Sequence, residues 1–152
     1  MKSDRNHPLG KEKTLFYVEA RKPFGNIATA DNYFQAIRYG WNSQIPIVIL
    51  TDFEQFQILD SRYKPDIGSS LHHCIKKYHY GDFEDRDKFA EIYFLFSREA
   101  VLNKSIEKFA ESLPKRRGKA VQRGLFAGGY QSIDESFLEE LDEYRATLGS
   151  DI

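Results

Sequence analysis

Glu19-Ala20-Arg21 is the first place along the chain where residue types and spacing could do chemistry. The run leading into it, Thr14-Leu15-Phe16-Tyr17-Val18, is β-branched and aromatic and predicts a strand over 14–20, buried on both faces. Strand side chains alternate, so Leu15, Tyr17, Glu19 and Arg21 share one side and the carboxylate and guanidinium project toward one point. A carboxylate held this way can ligate a hard cation such as Mg²⁺, and a positive group beside it can face the attacking water or the scissile phosphate of a phosphodiester. Lysine suits that second role better, because arginine stays protonated and its planar fork does not reproduce a compact ammonium. The plain alternative for an isolated Glu-x-Arg is an edge-strand ion pair.

A second element of the same chemistry follows. Past the turn-rich Lys22-Pro23-Phe24-Gly25-Asn26, the residues Ala30, Phe34, Ile37 and Trp41 recur at helical spacing and predict a helix with that stripe toward a sheet. Gln35 and Tyr39 lie one turn apart on another face of this helix, with Arg38 beside them. That face can reach toward Glu19 and a bound phosphate; the alternative is solvent-facing decoration.

The remaining elements would position these groups. Ile47-Val48-Ile49-Leu50-Thr51 and Gln55-Phe56-Gln57-Ile58-Leu59, separated by Asp52-Phe53-Glu54, predict an antiparallel hairpin, so the order begins β-α-β-β. Residues 61–85 carry Pro65, Gly68 and Gly81 and read as loop, with a short helix around Leu71-His72-His73-Cys74-Ile75. Phe89, Ile92, Tyr93 and Phe96 repeat at helical intervals, and a further helix is expected over 106–113, both covering the sheet. Residues 1–113 therefore read as one α/β domain. A basic, flexible linker is expected over 114–131, and an amphipathic connector helix over 132–152, with a Ser132–Glu135 capping box and a Phe137, Leu141, Tyr144, Leu148 stripe.

Composition narrows the function classes. The 152 residues, 41% hydrophobic, suffice for one cored domain rather than two. With 22 basic and 23 acidic residues the net charge is -1, so any DNA contact must come from a local patch; Lys115, Arg116, Arg117 and Lys119 offer one, and a polar linker would need charges equally. A single cysteine excludes an intrachain disulfide, and no apolar run is long enough to cross a bilayer, which makes the cytoplasm the expected compartment. His72, His73, Cys74 and His79 lack the spacing of a zinc site, and no orienting partner marks Cys74 as a nucleophile. No helix-turn-helix, zinc-finger or basic-zipper pattern offers base-specific readout.

Three stretches together carry a resemblance: Val18-Glu19-Ala20-Arg21-Lys22-Pro23, Gln35-Ala36-Ile37-Arg38-Tyr39-Gly40-Trp41-Asn42 and Ile49-Leu50-Thr51-Asp52-Phe53-Glu54-Gln55-Phe56. The chain resembles the N-terminal PD-(D/E)xK nuclease region of type IIG restriction-modification enzymes, over residues 14–148. The resemblance implies a restriction-endonuclease-like α/β fold, a mixed sheet flanked by helices with a C-terminal helical connector. It implies a metal-dependent DNA endonuclease in which Glu19 and the Ala20 carbonyl ligate Mg²⁺, Arg21 replaces the catalytic lysine, and Gln35 and Tyr39 support the site. The first carboxylate of that pattern falls nearest to Asp4. DNA is the implied partner, through Arg38 and the basic run, together with a DNA methyltransferase domain or subunit. The missing upstream strand and methyltransferase motifs point to truncation. The arginine and the weak context of Asp4 favour an alternative, a catalytically inactive module that binds DNA or docks on the methyltransferase.

Overall fold

The structure, a computed structural model, describes residues 13–115. Asp4, Arg116, Arg117, Lys119, the expected connector helix and all but the first two residues of the expected linker lie outside the described residues.

The chain forms a mixed four-stranded sheet in the order β1-β2-β3-β4, with helices on both faces. Strand β1 (Tyr17–Ala20) pairs parallel with β2 (Ile47–Thr51), which forms an antiparallel hairpin with β3 (Gln55–Asp60). The expected β-α-β-β opening is what the chain adopts, and the fold class is α/β. Helix α1 (Ala30–Asn42) links β1 to β2, as a parallel pair requires. Thr29 caps it, its hydroxyl accepting from the Asn32 amide.

Strand β1 is shorter and more open than its composition predicts. It is an edge strand among the described residues, and Val18 is 52% exposed. One face lies under α1; on the other, helices α2 (Arg86–Phe96), α3 (Arg98–Leu102) and α4 (Ser105–Ser112) gather over Ile47, Ile58, Ile75 and Tyr78 and leave Val18 uncovered.

Helix α1 is also rotated relative to its apolar stripe. Tyr33, Ala36, Ile37 and Gly40 face the sheet, whereas Phe34 is half-buried and Trp41 exposed. Two close contacts decide this. The Tyr33 hydroxyl donates to the buried Gln57 amide oxygen, and Gly40 lets the helix approach so closely that a Cβ there would stand 2.4 Å from Ser61 Oγ and 2.5 Å from Val48 Cγ1. A phenol tip and a glycine add little to a hydrophobic period, so the stripe misleads.

The largest departure is in residues 61–85, expected as loop. A 3-10 turn (Ser70–His73) leads into β4 (Cys74–His79), antiparallel to β3, and a second one (Tyr80–Glu84) follows. The register slips between Ile58 and Leu59, so the buried residues of β4 are Ile75 and Tyr78, three apart rather than two. A bulge erases the alternation by which a strand is recognised. Helix α2 is present as expected, but its buried residues are Glu91 and Leu95, while Phe89 and Tyr93 of the predicted stripe stay about half exposed. The Tyr78 hydroxyl bonds Glu91 Oε2 at 2.5 Å and Lys76 Nζ stands 3.3 Å from the same oxygen, pinning α2 to β4. The short helix α3 was not anticipated.

Candidate functional site

Register places the site. Glu19 pairs with Leu50, and Leu50 with Gln57, so their side chains share the face covered by α1. Helix α1 runs back along that face. Tyr17 Oη lies 3.2 Å from Ser43 Oγ at one end, and Arg21 Nη2 donates to Gln35 Oε1 at 2.9 Å at the other. Between them Gln35 Nε2 donates to the Tyr39 hydroxyl oxygen at 3.1 Å, and Arg21 Nη2 stands 3.4 Å from Glu19 Oε1. Four residues expected to act together, Glu19, Arg21, Gln35 and Tyr39, thus form one chain of polar contacts. It is accessible: the Arg21 and Glu19 side chains are 31% and 25% exposed and Tyr39 is 40% exposed.

Arg38 lies beside the cluster, exposed, its guanidinium 5.9 Å from the Phe34 ring centroid and 5.7 Å from that of Tyr39. Both rings are within cation–π range of its charge. Lys115 is exposed past the end of α4. No contact joins it to this cluster among the described residues.

One residue of this neighbourhood escaped the motif reading. Asp52 follows β2 as Arg21 follows β1, and the Arg21 amide donates to the Thr51 carbonyl at 2.8 Å, so the two stand level past the last strand pair. Asp52 is fully buried. Its Oδ1 accepts from the Glu54 and Gln55 amides at 3.0 and 2.7 Å, while its Oδ2 and the Nε of Arg21 are buried without a partner among the described residues. A parallel partner for the Glu-x-Arg strand, ending in an aspartate, was the signal for it.

The donor set does not by itself make a cation centre. Among the described residues no group of three or more histidine, cysteine, aspartate or glutamate side chains converges, and the Glu19 carboxylate is faced by Arg21. The histidine and cysteine cluster disperses: His73 is buried, His72 is exposed, and His79 Nδ1 caps the second 3-10 turn by accepting from the Gly81 amide. Cys74 is partly buried beside Tyr33; burial pushes its thiol up, outweighing the lowering by the Tyr33 side chain, the Lys77 charge and the Lys76 backbone. Burial raises the Tyr33 phenol as well, with Cys74 adding to it. Both groups stay protonated and neutral, a packing role rather than a nucleophilic one.

Over 138 residues, 90% of the chain, the sequence is 29% identical to the type II restriction enzyme and methyltransferase RM.Eco57I of Escherichia coli. The chain is related to a restriction-modification enzyme. It spans 12% of the length of that relative. No protein-family model and no solved structure matches the chain. No helix among the described residues is long and apolar enough to cross a membrane.

Proposed function

We propose that this chain is a restriction-endonuclease-like module that engages the phosphate backbone of DNA through Arg21, within a restriction-modification enzyme. One observation carries the reading: Arg21 is held by Glu19 and Gln35 at the carboxyl end of two parallel strands, where open α/β sheets take their ligands. A guanidinium with five donors can keep these contacts and still present N–H groups to a phosphate. Tyr39 and Arg38 extend the polar surface along α1. Lys115, with Arg116, Arg117 and Lys119, would add sequence-independent affinity.

In this reading Arg21 occupies the position from which a lysine would help to activate water, and it neutralises the carboxylate that a metal would need. The module therefore binds DNA without cutting it, and cleavage is supplied elsewhere or not at all. A second reading, Mg²⁺-dependent phosphodiester hydrolysis with Glu19, Ala20 and Asp4 as ligands, draws its support from the restriction enzyme relative. Docking on a methyltransferase domain or subunit draws on the same relative.

The test is plasmid nicking in Mg²⁺ or Mn²⁺ alongside DNA binding by fluorescence anisotropy, for the wild type, Glu19→Ala, Arg21→Ala and Arg21→Lys. The expected result is binding without nicking in the wild type, weakened in Arg21→Ala. Nicking by the wild type that disappears in Glu19→Ala would replace this reading by the second. An absence of binding to any DNA overturns both.

A further inference from the structure

Two phenylalanines at the tips of neighbouring loops have no packing reason to be there. Phe24, in the loop after β1, is 89% exposed, and Phe53, in the turn after β2, is 76% exposed. These are the highest exposures among the large hydrophobic side chains of the described residues. Both adopt the left-handed backbone, with φ of 68° and 73°, a conformation that costs a bulky residue free energy and costs glycine none. The chain thus bears strain at two positions and recovers no burial from either ring.

The tip of Phe53 is rigid. Its amide donates to Thr51 Oγ1 at 3.2 Å, Thr51 Oγ1 donates to the Gln55 carbonyl at 2.6 Å, and the next two amides bond to Asp52 Oδ1. The turn that carries the ring is thus held by its own hydrogen bonds. Because Ala20 pairs with Thr51, both loops leave the same edge of the sheet, the edge at which Arg21 stands. Lys22 is exposed beside Phe24, and Asp52 is buried and Glu54 half-buried beside Phe53.

We propose that Phe24 and Phe53 are base-contacting wedges that stack on nucleobases unstacked or turned out beside the phosphate held by Arg21. Aromatic faces bind any base and need no hydrogen-bond code, which suits a module without a base-reading motif. The inference rests on the reading of Arg21 as a DNA phosphate ligand and adds the preferred form of the DNA: single-stranded, bulged or sharply bent rather than regular duplex.

The experiment measures anisotropy of labelled oligonucleotides, a matched duplex, the same duplex with a central bulge and the single strand, against the full chain. The wild type is expected to prefer the bulged and single-stranded forms. Phe24→Gly combined with Phe53→Gly, which relieves the strained backbone, is expected to lower affinity for those two roughly tenfold or more while sparing the matched duplex. A circular-dichroism melt no lower than that of the wild type shows the variant folded. Equal affinity of wild type and double variant for all three DNAs overturns the inference; if Arg21→Ala still weakens all three, the reading of Arg21 stands without it. Loss of self-association in the double variant with DNA affinity unchanged assigns the rings to a protein contact and also overturns it. A wild type that binds none of the three overturns both.

Discussion

Two tripeptides of the same spacing, Glu19-Ala20-Arg21 and Asp60-Ser61-Arg62, end the two strands that flank β2 and meet opposite surroundings. Asp60 is fully buried, and its carboxylate accepts from Arg62 Nε and Nη2 at 2.9 and 2.8 Å. The same guanidinium reaches the carbonyls of Ala110, Leu113 and Pro114, tying the end of α4 to the sheet. Arg21 meets Glu19 through one contact at 3.4 Å, keeps a buried Nε without a partner among the described residues, and is twice as exposed as Arg62. The two pairs lie at opposite ends of β2 and on opposite faces of the sheet: Asp60 pairs with Ile47 over α2–α4, and Glu19 with Leu50 under α1. An acid and an arginine two apart become structural glue where a helix end closes over them. They stay open to solvent where the covering helix offers only an amide and a phenol.

The contrast can be broken most severely at Asp60. Asp60→Ala leaves Arg62 largely buried without its carboxylate and is expected to cost about 3–5 kcal/mol in urea denaturation, as removal of one partner from a buried pair does. Glu19→Ala, at the same spacing but open to solvent, should cost no more than about 1 kcal/mol. Equal losses from the two substitutions would dissolve the distinction.

Gly40→Ala probes the closed end next. The new methyl would meet Ser61 and Val48 inside contact distance, and the expected loss of about 1–3 kcal/mol should be read from the denaturation midpoint. Replacing Tyr78 by Phe removes a donor from the buried Glu91 and leaves Lys76 as its partner. An expected loss of about 1–2 kcal/mol, with α2 amides exchanging hydrogen faster, would show how firmly that face is pinned. The smallest stability effect belongs to Arg21→Ala, within about 1 kcal/mol of wild type, although the salt dependence of DNA binding should lose roughly one phosphate contact. A large loss of stability there would make Arg21 structural after all, a second Arg62.

Alkaline titration bears on the interior between the two ends. The Cys74 thiol is raised in the fold, so the native state holds its proton more tightly than the unfolded chain does. Its contribution is complete below the unfolded thiol value and is lost as pH rises through the folded one. Stability should therefore fall on the alkaline side, and Cys74→Ala should flatten that fall in melts recorded across the range.

The residues alone were enough for the α/β class, the β-α-β-β opening, the shared face of Glu19 and Arg21 and that of Gln35 and Tyr39, because alternation on a strand and the 3.6-residue turn are local geometry; that the two faces meet was only what the resemblance implied. They did not reveal β4, whose period a bulge interrupts at Leu59, or the true inner face of α1, set by the bond from Tyr33 to Gln57 and the close seat of Gly40. Nor could they separate Glu-x-Arg from Asp-x-Arg, or show that Asp52 stands level with Arg21 and that Phe24 and Phe53 crown the same edge. Those depend on which strands become neighbours and which ends a helix covers. Long-range packing settles such matters after every local preference has been satisfied.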